Sequence, residues 1–138
     1  LHCEVGVPQG SNLGPLIFLL FVNGLPFVLG CDMEQYADDS SLSSTGATVE
    51  IINDKLNTSC QVVSNWMASN QLKLNAGKSH VMTLGTDRRL QMPGNQVTVV
   101  MDGITLQEDD NKFEVMLGCQ IQSDLKWHVQ VQELKSKL

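Results

Sequence analysis

Basic residues are scarce in this chain. Nine Lys and Arg face 15 Asp and Glu, for a formal net charge of −6 and a pI near 4.8. Phosphate contacts draw on Lys and Arg, so this balance alone argues against a strong nucleic-acid binder. Aromatics make up only 5% of the 138 residues, which leaves the core to Leu, Val, Ile and Met. Metal-ligand spacing is missing as well. Cys3, Cys31, Cys60 and Cys119 are scattered with no CxxC, and His2, His80 and His128 add no ligand pattern, so zinc is not expected. Four cysteines leave disulfides open, but a reduced intracellular protein is the simpler reading. No secretory signal is visible, which points to the nucleus or cytoplasm. The chain starts in a strand-like "LHCEVGV" and reads as an excised piece of a longer protein.

Charge is also absent from Val5 to Cys31. A run of that length raises the question of a membrane span. The run opens on the Gly- and Pro-rich "GVPQGSNLGP" and is broken again by Asn23, Gly24 and Pro26. Its unbroken apolar stretch, Leu16 to Val22, is too short to cross a bilayer, so no membrane partner is expected. "LIFLLFVNGL" reads instead as a helix apolar on all sides and therefore fully buried. Pro15 suits its first position, with Ser11 or Asn12 near the cap.

The hydrophobic content of 42% and charged content of 17% fit one globular domain. "CDMEQYADDSSL" predicts a strand, a tight Asp-Asp turn and a return strand in "SSLSS". "TVEIINDKLNTSCQVVSNWMASN" predicts a helix. Val49, Ile52, Leu56, Val63, Trp66 and Met67 share one face, Thr48 is the cap and Glu50 suits the positive end. "QLKLN" and "HVMTLG", with "AGK" between them, predict strand, turn, strand; "GTDRRLQMPGN" predicts a loop. Asp102-Gly103 in "VTVVMDGITLQ" predicts a two-residue hairpin. "FEVMLGCQI" predicts another strand. The final segment predicts a helix capped by Ser123 or Asp124, with Trp127, Val131, Leu134 and Leu138 on its core side. The class is α+β, a mostly antiparallel sheet with helices packed on one face.

The adjacent acids Asp38 and Asp39 carry the strongest chemical signal. Two carboxylates on a turn are good ligands for a hard divalent cation, which usually takes one or two carboxylates plus substrate phosphates. Alone, the pair reads more simply as a solvated turn. Its surroundings are more specific. "GVPQGSNLGPLIFLLFVNGLP", "YADD", "NWMASNQLKLNAGKSHVMTLG" and "FEVMLGCQIQSDLKW", in that order, closely resemble the reverse transcriptase of non-LTR (LINE-type) retrotransposons, from Gly6 to about His128.

The resemblance implies a polymerase palm over residues 1–124 and the start of a thumb helix over 125–138. It implies Asp38 as the main ligand of Mg²⁺ or Mn²⁺ and Asp39 as the weaker one. Tyr36 falls where the family places an aromatic near the primer end or nucleotide. Pro8, Gln9, Gly10 and Ser11 match the loop that touches nucleotide and template. Asn75 and Lys78 match the family's "N..K", where a lysine could neutralise the triphosphate or protonate the pyrophosphate. Leu117 and Gly118 match the "LG" of the primer-grip hairpin. The implied partners are an RNA template, a DNA primer and deoxynucleotide triphosphates. Trp127 is expected in the core rather than stacked on a base.

Departures accompany the matches. The family's third catalytic aspartate lies upstream of the "GVPQG" loop. Glu4, the one acid before residue 32, is too close to that loop to replace it. Gly24 stands where the family usually has Asp, Met116 where it has an aromatic, and Gln122 where it often has an acid. The family's basic nucleic-acid track lies mostly on fingers and thumb, so an acidic palm fragment is consistent with an enzyme that binds RNA and DNA. Such a fragment should itself bind nucleic acid weakly. Two readings stand: a piece of an RNA-directed DNA polymerase, inactive alone, or a non-catalytic palm-like remnant serving as an interaction module.

Overall fold

The computed structural model describes residues 11–92, 94, 96–106, 108 and 113–137. Helix α1, Gly14–Val22, is launched by Ser11, whose hydroxyl accepts the Leu13 N–H at 3.3 Å and whose carbonyl accepts the Gly14 N–H at 3.2 Å. Leu13 rather than Ser11 or Asn12 occupies the cap, and Pro15 is the second helical residue rather than the first. Missing N–H donors matter little in a helix's first turn, so either site accepts proline. Only Gly14 and Val22 of α1 are buried. Leu16, Ile17, Leu19 and Phe21 are exposed, and Leu20 is 69% exposed. The expectation of a fully buried helix is thus corrected. A helix apolar all round needs cover all round, and the described residues supply it on one side only. Phe21 meets Trp66 at a ring separation of 5.8 Å. A 3-10 turn, Pro26–Val28, then leads through fully buried Leu25 toward the first hairpin.

Strands β1 (Asp32–Tyr36) and β2 (Asp39–Ser43) form that hairpin in antiparallel register. Helix α2, Val49–Ser69, follows as predicted. Thr48 is extended, and its hydroxyl accepts the Ile51 N–H at 3.5 Å. Glu50 sits in the first turn, and its carboxyl is held below the usual carboxylate range by its own backbone N–H and the Thr48 hydroxyl. Asn70 closes the helix with its side-chain amide on the Trp66 carbonyl at 2.8 Å, and Gln71 turns left-handed at φ 58.

The core lies between α2 and the hairpin of β3 (Val99–Met101) and β4 (Ile104–Leu106). Cys60, Val97, Val99 and Leu106 form its centre, with Leu42, Val49, Ile52, Leu56, Val81 and Met101 packed around them. Asp102-Gly103 makes the two-residue turn as predicted, both residues at positive φ. Two asparagines of α2 complete this layer. Asn53 Oδ1 accepts the Thr98 N–H at 3.1 Å, and Asn57 Oδ1 accepts the Val100 N–H at 2.7 Å. Asn57 Nδ2 also donates to the Thr98 carbonyl at 3.0 Å. Residues four apart lie one above the other on a helix. This pair therefore matches the outward-facing groups of the strand and occupies its open edge.

Three local expectations are corrected. "QLKLN" forms no strand; a 3-10 turn, Ala76–Lys78, follows it, and "HVMTLG" contributes a single parallel bridge, Val81 to Glu108. "GTDRRLQMPGN" contains a one-turn helix α3, Asp87–Leu90. "FEVMLGCQI" is a hairpin, β5 (Phe113–Met116) and β6 (Cys119–Gln122), turning at Leu117-Gly118. In the last, local turn chemistry overrides an apolar run that reads as continuous.

Helix α4, His128–Ser136, packs on β6. Neither Ser123 nor Asp124 caps it. Asp124 instead accepts the Lys126 N–H at 3.0 Å, ahead of the helix. Gln122 takes the capping role from the strand, accepting the Val129 N–H at 3.0 Å, while Gln130 accepts the Gln120 N–H at 2.7 Å. Trp127 is 60% exposed, and Val131 and Leu134 are exposed too, so the expected core face of α4 is uncovered. Leu138 lies outside the described residues. Helices combined with small antiparallel sheets fit the α+β class. Among the described residues the strands form three separate two-stranded sheets, not one mostly antiparallel sheet.

Candidate active site

The geometry around Asp38 and Asp39 follows from the register of the first hairpin. Tyr36 pairs with Asp39, so only Ala37 and Asp38 form the turn. Asp39 is the first residue of the return strand rather than half of an Asp-Asp turn. Ala37 takes a left-handed φ of 55. A non-glycine residue there costs about 1–2 kcal/mol, and the hairpin's cross-strand ladder holds it in place. Both aspartates are exposed.

Alternation along β1 separates the two faces of the ribbon. Met33 and Gln35 are half-buried, while Asp32, Glu34 and Tyr36 are exposed. Residues directly opposite share a face. The outward face therefore carries Asp32, Glu34 and Tyr36 across from Ser43, Ser41 and Asp39. Tyr36 is 68% exposed and lies beside Asp39. Asp32 and Glu34 were not singled out from the sequence, although their parity with Tyr36 was legible there. Carboxylate oxygens at an open turn suit a hard divalent cation. No cluster of three His, Cys, Asp or Glu positioned to hold a metal occurs among the described residues. Asp38 and Asp39 each place a carboxylate at the exposed end of the hairpin.

The other candidate residues are distributed around the molecule. Pro8, Gln9 and Gly10 lie outside the described residues. Ser11 is half-buried, and both its hydroxyl and its carbonyl accept N–H groups at the start of α1. Lys78 is exposed at the end of its 3-10 turn, and the Asn75 carbonyl accepts its backbone N–H at 2.9 Å. Lys78 forms no ion pair with the acidic hairpin among the described residues. Leu117 and Gly118 form the exposed turn of β5–β6 at φ 49 and 80. A Cβ on Gly118 would meet open space, so glycine serves the backbone angle there rather than a close contact.

The Asn53–Asn57 pair was missed because its partners lie 41 to 45 positions away. A cleft of ≈ 250 Å³ between α3 and the β5–β6 hairpin is lined by Asp87, Glu108, Glu114 and Asp124 among others, and by no residue of the acidic hairpin. Lys126 joins Asp87 and Asp124 at 3.1 and 3.0 Å. The Lys126 backbone N–H, then its ammonium, hold Asp124 below the usual carboxylate range. No described helix is long and apolar enough to cross a membrane.

Comparison with known proteins adds to this geometry. Searches of curated proteins and of solved structures found no match. The profile of the reverse transcriptase (RNA-dependent DNA polymerase) family matches residues 1–132, nearly the whole chain and both aspartates of the first hairpin. The chain therefore belongs to the reverse transcriptase (RNA-dependent DNA polymerase) family.

Proposed function

We propose that this chain is the palm portion, residues 1–124, and the first thumb helix, 125–138, of a non-LTR, LINE-type RNA-directed DNA polymerase. It works by two-metal nucleotidyl transfer of deoxynucleotides to a primer 3′-hydroxyl on an RNA template. The observation that carries this reading is the two-residue hairpin that exposes Asp38 and Asp39 together within a chain matched by the family. The order of the "GVPQGS", "YADD" and "LG" motifs supports the subtype. Reverse transcriptases generally use divalent metal ions, which suits this oxygen-donor pair.

Asp38, with Asp39, would hold Mg²⁺ or Mn²⁺; such ions, when bound, activate an attacking hydroxyl and offset charge on the leaving pyrophosphate. Tyr36, opposite Asp39, offers an aromatic face to the primer end or the incoming base. Pro8, Gln9, Gly10 and Ser11 contact nucleotide and template, and the backbone of Gly10 permits close approach. Lys78 neutralises or protonates phosphate oxygens. Leu117 and Gly118 grip the primer.

The test is incorporation of labelled deoxynucleotide on an RNA template with a DNA primer, in Mg²⁺ and Mn²⁺ separately. The 138-residue chain alone shows no extension, because the described residues offer no third carboxylate to this pair and holding primer and template in place is a large part of the rate. A longer polypeptide carrying an aspartate strand ahead of the "GVPQG" loop extends the primer, and Asp38→Asn in it reduces the rate by at least about 10³-fold. Extension that survives Asp38→Asn would remove the metal-site assignment. Extension by the bare chain, lost in Asp38→Asn, would show that two carboxylates suffice.

A further inference from the structure

We propose that Asn23, at the end of α1, is a modification site, where the following backbone nitrogen drives spontaneous deamidation to aspartate and isoaspartate. Asparagine is a thermolabile residue, and Asn23-Gly24 is the one Asn-Gly step in the sequence. The reaction needs a following backbone nitrogen that no side chain crowds, an asparagine amide that is not held elsewhere, and a peptide plane that can turn. Both residues of this step are exposed. Among the described residues the Gly24 N–H has no acceptor and the Asn23 side-chain amide has no partner. A Cβ on Gly24 would meet nothing within 4 Å. Other asparagines are held. The side chains of Asn53, Asn57 and Asn70 bond to backbone, and that of Asn65 accepts from Gln61.

Asn23 has helical angles, φ −60 and ψ −19. These are not the angles of the closed ring, so the peptide plane between Asn23 and Gly24 must first turn. Turning uses ψ of Asn23 and φ of Gly24, and glycine accepts a wide range of φ. Opposed rotations about these two bonds leave the flanking anchors in place. Those anchors are the Asn23 N–H on the Leu19 carbonyl at 3.0 Å and the Leu25 N–H on the Val22 carbonyl at 3.0 Å. The Gly24 nitrogen, giving its proton to water, then attacks Asn23 Cγ. A C–N bond forms and ammonia leaves. Water adds to either carbonyl of the resulting ring and opens it, to aspartate or to isoaspartate. The balance is one water consumed and one ammonia released, with no change of oxidation state. Each event adds a negative charge to the net −6, at the helix end that disfavours anions. Isoaspartate also lengthens the main chain by a carbon beside fully buried Leu25.

The experiment keeps the folded 138-residue chain in mildly alkaline buffer at physiological temperature. Samples are digested under mildly acidic conditions, which suppress the reaction, and mapped by peptide mass spectrometry against a zero-time control. The readout is the mass gain from amide to acid, which the Asp102-Gly103 step cannot give. Asn23 should convert at least about tenfold faster than Asn53, Asn57, Asn65 or Asn70, a barrier lower by about 1.4 kcal/mol. Isoaspartate-specific methylation should label the same peptide, and isoelectric focusing should show a new, more acidic band. Gly24→Ala, which the open space around Gly24 accommodates, should keep the far-UV circular dichroism and slow the conversion at least about tenfold. Faster conversion at any of the four held asparagines would overturn the assignment. So would conversion of Asn23 in urea but not in native buffer, since the fold would then protect this peptide. An unchanged rate in Gly24→Ala would overturn ring closure through the Gly24 nitrogen.

Discussion

At Cys60, the burial of one sulfur atom sets a pH dependence for the whole fold. Its thiol ionises near 9.0 in the ordinary state and at about 11 in the core. The folded state therefore favours the protonated thiol. That contribution is fully present below pH 9. As pH rises from 9 through 11 the unfolded chain ionises first, and the contribution is lost. Two units of difference correspond to on the order of 2–3 kcal/mol. Wild-type stability in urea should fall over this window, and Cys60→Ala should show a flatter profile despite starting about 1 kcal/mol lower from the lost packing. Parallel slopes for the two proteins would mean that the thiol is solvated. Five described non-glycine residues take left-handed angles, which no composition count reveals. Ala37 and Leu117 adopt left-handed angles where glycine would be relaxed, each at the first position of a two-residue turn. Their identities were legible, but their angles depend on the strand register on either side.

Between elements, side-chain amides carry much of the assembly. Asn57 bonds both the Val100 N–H and the Thr98 carbonyl, and Asn53 bonds the Thr98 N–H. A strand edge left open invites pairing with another chain; here a helix occupies it. Net worth per exposed hydrogen bond is about 0.5–1.5 kcal/mol. Asn57→Ala should lower stability by roughly 1–3 kcal/mol in chemical denaturation. Asn57→Asp keeps the acceptor for Val100 but loses the donor to Thr98, so its loss should be smaller than that of Asn57→Ala. Equal losses would show that only the shape of the side chain matters. The sequence marked Asn53 and Asn57 as polar positions on the helix and no more. A polar residue on a helix flank reads the same whether it faces water or a strand edge. Gln122 repeats the lesson at α4. In the sequence it stands only as a departure from an expected acid, yet its side-chain amide oxygen accepts the Val129 N–H. Neighbouring residues suggest a cap at Ser123 or Asp124; the capping oxygen comes from the preceding strand.

Across the whole molecule, apolar surface is distributed unevenly. One side of α1, the 3-10 turn at Phe27 and Val28, and the line Trp127, Val131 and Leu134 of α4 are exposed, while the main buried cluster centres on the α2, β3 and β4 layer. Substituting Leu16→Lys and Leu20→Lys together should change the unfolding free energy by less than about 1 kcal/mol, since exposed sites contribute little packing and lysine is a good helix former. The same pair should raise solubility, measured as the protein concentration at which turbidity appears. A loss of several kcal/mol would mean that this face of α1 is packed. The net charge of −6 acts at this scale too. It opposes phosphate binding by the isolated chain, whichever side chains surround the hairpin.

The sequence by itself determined some of the local elements and the family. Thr48 and the 3.6-residue apolar spacing specified α2, and Asp102-Gly103 specified a turn, because caps and two-residue turns are decided by neighbouring residues. The ordered motifs around Asp38 and Asp39 identified the reverse transcriptase family. The tertiary structure decided what each face meets. It set Asp39 on a strand opposite Tyr36 rather than in the turn, left α1 and Trp127 uncovered, split the strands among three hairpins, and turned Asn53, Asn57 and Gln122 into partners of distant backbone. Apolar periodicity states that a face can be buried. Whether it is depends on which other segment arrives there, and contacts across 40 or more positions leave no local pattern to read.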